Sequence, residues 1–203
     1  MVRTALEFIQ EELDAFLAER DPDNYSAGNI SEVVSLIRPD GSPGFNDTNH
    51  IAIVLAGIEE EQIDSKYLRH RPAENNQFVE LQPPVSLNLY VLFVAHKPFY
   101  LSALRDVSNV IGFFQENPVF DQAHYPNLNT RVTDPLNKSW QLVDRLTMRL
   151  HNLTFEQQNN LWASLGTKQM PSVVYKMRLL TIFSTRSKQN AVPITTISGD
   201  SHV

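Results

Sequence analysis

The chain has 203 residues, a net charge of −6 and no cysteine. Its hydrophobic content of 42% excludes global disorder, and the lack of cysteine excludes disulfides, thiolate metal sites and cysteine nucleophiles. The negative charge argues against nucleic acid as a partner. We see no signal peptide and no apolar run near the roughly 20 residues that span a bilayer. We therefore expect cytoplasmic assembly and no membrane partner.

The first third predicts a helix followed by two strands. Apolar residues recur at helical spacing over residues 3–19, whereas 30–38 and 51–58 are apolar runs typical of strands. A turn-rich loop separates these strands, which favours a hairpin with a long connection. From residue 62 to residue 82 the apolar residues show neither helical nor strand spacing, so we expect an irregular arm or loop there.

The stretch 83–96 predicts the central strand of the fold. After two prolines, apolar side chains occupy every second position from Val85 to Phe93. The alternate positions begin polar, with Ser86 and Asn88, and become apolar from Tyr90 onward. A strand that is buried on both faces toward its end is typical of the middle of a sheet.

A second helix is predicted after Pro98 and ends before Pro118. Its apolar stripe is expected to comprise Tyr100, Leu104, Val107, Ile111 and Phe114, widened by Leu101. We also expect Phe113, Phe114 and Phe120 in the core.

The last part predicts strand, helix and strand. Residues 140–152 alternate as a half-exposed strand. Thr154 and Gln157 have capping-box spacing, and Gly166 suits a left-handed helix end. The expected stripe of this helix comprises Phe155, Leu161, Trp162 and Leu165. A strand follows Pro171.

The sequence therefore predicts an α+β fold, a single domain with a mixed sheet of about five strands and three main helices. The domain is expected to cover residues 1–183, with the arm at 62–82, and a flexible C-terminal tail is expected at 184–203.

No catalytic constellation is found in the sequence. Phosphate-loop, dinucleotide, nucleophile-elbow and HExxH patterns are missing, and only 7 glycines are present. The six histidines do not occur at ligand spacing, so no metal or cofactor is expected. This profile favours an assembly protein over an enzyme.

Charge is unevenly distributed along the chain. Up to Asp64 there are 3 basic and 14 acidic residues, whereas the remainder has 14 basic and 9 acidic residues. One interpretation is a solvated surface with uneven charge. The other is self-association in which unlike surfaces meet, as in a head-to-tail ring.

Four segments together resemble one known family. They are LNLYVLF, IGFFQENPVF, LWASLG and PSVVYKMRLLTI, in that order, and the opening ALEFIQEEL fits as well. They resemble the cap, or tail-terminator, family of phage-tail-like contractile injection systems of the antifeeding-prophage and virulence-cassette type. The resemblance covers about residues 5–183 and excludes the arm and the tail.

The resemblance implies a structural cap and no enzymatic activity. Six copies would form a ring at the distal end of the particle, where the ring ends the inner tube and anchors the last sheath layer. The implied partners are copies of the chain, the sheath protein and the inner tube protein. The particle would be released or membrane-anchored after assembly in the cytoplasm.

Such a ring needs two different surfaces on each subunit, and we predict them from the positions of charged and aromatic residues. The candidate interface residues are Arg145, Arg149, Lys176, Arg178, Glu59, Glu60, Glu61 and Trp162. Solvated strand faces remain the alternative for the charged residues, and burial in the core is favoured for Trp162. The alternative function is a small-molecule or peptide-binding α+β module, which a deep apolar pocket beside the central strand would favour.

Overall fold

The computed structural model describes residues 1–25, 30–44, 51–61, 70–72, 78–80, 85–135, 137–181 and 190–191. In these residues the helices are α1 (Val2–Arg20), α2 (Tyr100–Glu116) and α3 (Phe155–Leu165), with a 3₁₀ turn at Ser139–Gln141. The strands are β1 (Ser31–Val33), β2 (Ile51–Glu61), β3 (His70–Pro72), β4 (Phe78–Glu80), β5 (Val85–Ala95), β6 (Val119–Asp121), β7 (Arg145–Leu150), β8 (Ser172–Thr181) and β9 (Asn190–Ala191).

A six-stranded mixed sheet forms the frame of the molecule. Its strand order is β1-β2-β5-β8-β7-β6, in which β1 runs parallel to β2 and every other neighbouring pair is antiparallel. The predicted α+β class and three helices are confirmed, and β6 is a sixth strand that the sequence pattern did not reveal.

The central position of β5 is confirmed. This strand pairs with β2 on one side and with β8 on the other along nearly its whole length. Leu89, Val91 and Phe93 point to one face of the sheet and are buried. We name this side the first face and the opposite side the second face.

Helices α1 and α2 cover the first face and enclose the larger core. Phe113, Phe114 and Phe120 are at most 3% exposed, which confirms their predicted core position. The rings of Phe8 and Phe120 meet edge to face at 5.6 Å, a geometry that aromatic pairs favour.

Helix α3 covers part of the second face and encloses a smaller core. Trp162 packs there with Leu92, Val94 and Val174. The capping box at Thr154 and Gln157 is confirmed, and Gly166 has a φ of 68° in the left-handed region as expected. Phe155 was placed wrongly in the apolar stripe of α3, since it is 92% exposed. It lies at the first helical position, before the helix meets the sheet.

The predicted hairpin between the first two strands is wrong. Strand β1 is only three residues long and pairs parallel to β2, with Ser31 opposite Ile51. The rest of the predicted strand turns away, and Ile37 forms an isolated bridge to Pro43. Apolar periodicity identifies a strand but not the direction of its partner, which explains the error.

The predicted stripe of α2 is also largely wrong. Tyr100 and Leu101 are well exposed, and Leu104 and Ile111 are partly so. The buried side of the helix instead contains Ala103, Asp106, Val110, Phe113 and Phe114. Asp106 is the cause of the error, because a carboxylate in the middle of this second stripe made it look solvent-facing. It is buried because it accepts a hydrogen bond of 2.6 Å from the Tyr25 hydroxyl.

The strand predicted over residues 140–152 is shorter than expected. Its first residues form the 3₁₀ turn, where Trp140 is about half exposed. The Asn129 side chain then holds Val143 in place of a sheet partner, since its amide donates to the Val143 carbonyl and its oxygen accepts from the Val143 N–H. Regular pairing begins only at Arg145.

A small second sheet has the strand order β3-β4-β9. Residues Glu61 and Ser86 are register partners, as are Val85 and Thr181, so β2, β5 and β8 all leave the large sheet at one end. In the chain β3 follows β2, β4 precedes β5 and β9 follows β8, and the three short strands pair in the same neighbour order. Most of the predicted arm at 62–82 and of the tail at 184–203 lies outside the described residues.

Asp14 links α1 to β1 and generates a test of pH dependence. Its carboxylate accepts hydrogen bonds from the Ser31 N–H at 2.9 Å and the Ser31 hydroxyl at 2.6 Å. Burial raises its pKa from 3.8 to about 6, against the lowering effect of these hydrogen bonds. The folded protein therefore binds this proton more tightly than the unfolded chain does, and the contribution of Asp14 to stability falls as pH rises through this window.

We expect Asp14→Asn to raise the free energy of unfolding by about 1–2 kcal/mol at about pH 8, allowing for partial solvent screening. The asparagine keeps an acceptor oxygen for Ser31 but removes the buried charge. The gain should shrink as pH falls and vanish near about pH 3, where Asp14 is largely protonated in both states. Urea titrations at both pH values measure it, and an equal effect at both would contradict the assignment.

Candidate functional site

The part of the second face that α3 leaves open carries a group of charged side chains. We define the charged platform as Glu59 and Glu61 on β2, Lys176 and Arg178 on β8, and Arg145 and Arg149 on β7. Strand register places them on one face, because successive residues of a strand alternate sides. Reading across the sheet from β2 to β7, one row is Glu59, Asn88, Arg178 and Thr147.

A β-bulge in β2 brings the glutamates to this face. The pairing of β2 with β5 shifts between Leu55 and Gly57, so Glu59 and Glu61 lie opposite Asn88 and Ser86. An extra residue in one strand reverses the side to which the following residues point. Glu60 lies on the other face opposite Leu87, and it is exposed.

Ion pairs link the acidic and basic residues within the chain. Glu61 meets Arg178 at 2.5 Å, and Glu59 meets Lys176 at 3.8 Å. Both contacts reach diagonally over β5. The structure thus brings four of the predicted interface residues together as internal pairs.

Side chains of β5 complete this ladder. The Ser86 hydroxyl donates to Glu61 at 2.9 Å, and the Tyr90 hydroxyl donates to Glu59 at 2.8 Å. The hydrogen bond from Ser86 and the pairing with Arg178 lower the pKa of Glu61, whereas the hydrogen bond to Glu59 raises the pKa of Tyr90. Lys176 also lies 5.7 Å from the centre of the Tyr90 ring, within cation–π range.

The two arginines of β7 are differently placed. Both are exposed, and Arg145 lies opposite Asp121 on β6. In the described part of the chain, no hydrogen bond or ion pair involves the Arg149 side chain. Arg149 instead lies directly opposite Lys176 on β8. Like charges directly opposite each other on neighbouring strands are destabilising. The β7 side of the platform therefore carries positive charge that is not balanced within the chain.

A buried amide adds a second unfavourable feature. Asn88 is 4% exposed, and its side-chain oxygen has no hydrogen-bond partner among the residues that the structure describes. An unsatisfied buried polar atom costs about 1–3 kcal/mol. The unsatisfied oxygen of Asn88 is therefore a local cost to the stability of the isolated chain.

Trp162 does not belong to the platform. It is 4% exposed and packs between α3 and the sheet, in the core position that its sequence context favoured.

A second exposed surface was missed by sequence reasoning. Phe99, Tyr100 and Leu101 at the start of α2 are 76%, 67% and 80% exposed. Three consecutive apolar residues beside Pro98 could have signalled it, but their helical spacing suggested a core stripe.

Shallow grooves lie between α2 and α3. One has a volume of about 260 Å³ and is lined by Ile111, Leu161 and Trp162, among others. It is open to solvent, unlike the deep apolar pocket that a ligand-binding module would need. Across the described ranges, no group of three acidic or histidine side chains could hold a metal ion, and none of the helices there is long and apolar enough to cross a bilayer.

The fold and the platform define the class of protein: a compact α+β domain whose distinctive surface is a charged sheet face. A family model described as the Pvc16 N-terminal domain matches residues 4–196, and the chain belongs to this family. No curated protein matches the sequence.

Two solved structures have a similar fold. One is the sheath/tube terminator of PVC, an extracellular contractile injection system, in its extended state. It is 17% identical with a TM-score of 0.56, and the match covers 96% of this chain and 62% of the other. The other is the tube-terminating cap of the anti-feeding prophage, at 12% identity and a TM-score of 0.52, covering 94% and 59%. The chain thus spans about three fifths of their length.

The ladder predicts different effects for two neighbouring glutamates. We expect Glu61→Gln to lower the free energy of unfolding by about 0.5–1 kcal/mol at low salt, because it removes the charge paired with Arg178. Glu60→Gln, on the other face, should have no measurable effect. Denaturant titrations at low and high salt compare them, since salt screens an exposed pair.

The difference should also depend on pH. Because the pKa of Glu61 is lowered in the folded state, its stabilising effect is present at neutral pH and is lost as pH falls through the folded-state pKa. Equal stability of the two variants at neutral pH and low salt would contradict the ion-pair assignment.

Proposed function

We propose that this chain is a structural cap that terminates the tube and sheath of a contractile injection particle. The single observation that carries the proposal is the family match over residues 4–196. The fold similarity to two terminators over more than nine tenths of the chain supports it.

A cap works by contact, without transforming a substrate. The charged members of the platform are held by ion pairs and hydrogen bonds, as in a surface that fixes position. Their side chains are partly exposed, whereas catalytic acids and bases are usually found in enclosed clefts. We therefore propose that the chain is not an enzyme and that it requires no cofactor.

The proposed partners are copies of the chain, the sheath protein and the inner tube protein. A closed ring of six copies needs two different surfaces on each subunit. The platform is proposed as one of them, with Arg145 and Arg149 as its available charges, since Lys176 and Arg178 already have internal partners. The particle is proposed to assemble in the cytoplasm and to act as an injection device.

The alternative of a ligand-binding module receives no specific support. The grooves between α2 and α3 are open to solvent. Another cavity, of about 440 Å³, lies away from these helices and is lined by loop residues that include Gln122, Pro126 and Asn129. Small-molecule sites usually bury most of their ligand in a concave apolar cavity.

Tube growth tests the cap function. Inner tube subunits from a related contractile system should polymerise to variable lengths alone and to shorter, more uniform lengths when the purified chain is added. Electron microscopy should place the chain at one end only, because a terminator blocks further addition there. Unchanged tube lengths, with the chain absent from tube ends, would overturn the proposal. Heat-unfolded chain serves as the control.

Light scattering after size-exclusion chromatography tests the ring. At low salt we expect a discrete oligomer with a mass about six times that of the chain, because complementary charged surfaces attract most strongly there. A monomer at every salt and protein concentration would contradict the ring while leaving the tube-end experiment to judge capping.

A further inference from the structure

We propose that the β7 arginines, Arg145 and Arg149, bind the outer acidic stripe of α1 on a second copy of the chain. We define this stripe as Glu7, Glu11 and Glu19. The inference rests on the ring in the proposed function and names the two surfaces that meet in it.

The acidic stripe follows from helical spacing. Positions 7, 11, 15 and 19 recur every four residues and lie within about 120° of the helix circumference, whereas Leu6, Ile9, Leu13 and Leu17 are buried on the other side. Near the start of α1, Thr4 and Phe8 are buried on the acidic side as well. Glu7 pairs with Arg3 and Glu11 pairs with Arg131, both at the surface. Glu19 is exposed, and no partner for its carboxylate is found among the described residues.

The two surfaces lie on opposite faces of the sheet. Helix α1 packs against the first face through the larger core, and the platform is the open part of the second face. Because the surfaces differ and point in opposite directions, their contact joins copies head to tail. Such a contact is heterologous and propagates until a ring closes.

Charge supports a second copy as the partner. Arg149 lies opposite Lys176 in the strand register, and the carboxylate that Lys176 meets, Glu59, is on the far side, on β2. An approaching acidic stripe would relieve this repulsion. Residues 1–25 contain seven acidic and two basic side chains, so the first face is negative where the β7 edge is positive. Complementary charges of this kind set orientation and association rate.

Charge reversal tests the pairing of these two surfaces. The first variant is Arg145→Glu with Arg149→Glu, and the second is Glu7→Lys with Glu19→Lys. The second leaves the contact between Glu11 and Arg131 intact. Each variant alone should self-associate at least about tenfold more weakly than the unaltered chain, because like charges then meet.

Mixing provides the decisive measurement. A one-to-one mixture should recover the oligomer, since every contact between unlike variants is again acidic against basic. The chain that carries all four changes should also recover it. The matched control for the arginine variant is Arg38→Glu with Lys168→Glu, which lowers the net charge by the same amount at exposed positions elsewhere and should assemble normally.

Light scattering gives the masses, and circular dichroism verifies that each variant is folded. Variants that assemble like the unaltered chain, or a mixture of folded variants that stays monomeric, would overturn this inference. Those results would leave the cap function standing as long as the unaltered chain still forms its oligomer and stops tube growth.

Discussion

The antiparallel ladder of β2, β5 and β8 determines how the helices and the charged platform are arranged. Its register fixes which side chains reach each face, because neighbouring residues alternate sides and a shift of one residue would exchange them. The first face is apolar over the region that receives α1 and α2. The second face is apolar only where α3 lies and charged beyond it. The alternation of side chains between the two faces of the sheet thus produces both the core and the platform.

The platform combines internal pairing with an unpaired edge. Its acidic residues on β2 and its basic residues on β8 form ion pairs across the central strand. Because these charges balance each other, they add little net charge to the surface. The remaining positive charge lies on β7, where Arg149 faces Lys176. Together with the orphan oxygen of Asn88, this is an arrangement that a self-contained domain would be expected to avoid. The proposal that this surface meets a partner rests on these two features.

Much of the fold could be predicted from the sequence where one period dominates. The central strand, the capping box at Thr154 and the core position of Phe120 all depend on local patterns, and the structure agrees with them. The prediction of the buried side of α2 was wrong because the helix has two apolar stripes. Asp106 lies in the buried stripe and made it look solvent-facing. Its partner Tyr25 is 81 residues away in sequence, so no local pattern could reveal the hydrogen bond.

The sequence indicated which charged residues belong to the candidate site, but it did not indicate which of them would lie together. Lys176 and Arg178 are evident as charges within a strand, and the glutamates as a charged run. Their pairing across β5 depends on register and on the bulge near Gly57, which reverses the direction of Glu59 and Glu61. Neither feature has a sequence signal strong enough to deduce. The parallel pairing of β1 was likewise a property of the assembled sheet.

The two sheets are joined by three separate chain segments, because β2, β5 and β8 each continue into a strand of the smaller sheet in an unchanged neighbour order. Tension between the sheets would therefore be divided among three backbones. The smaller sheet is held by three covalent connections, and breaking any one of them would leave it attached through the other two.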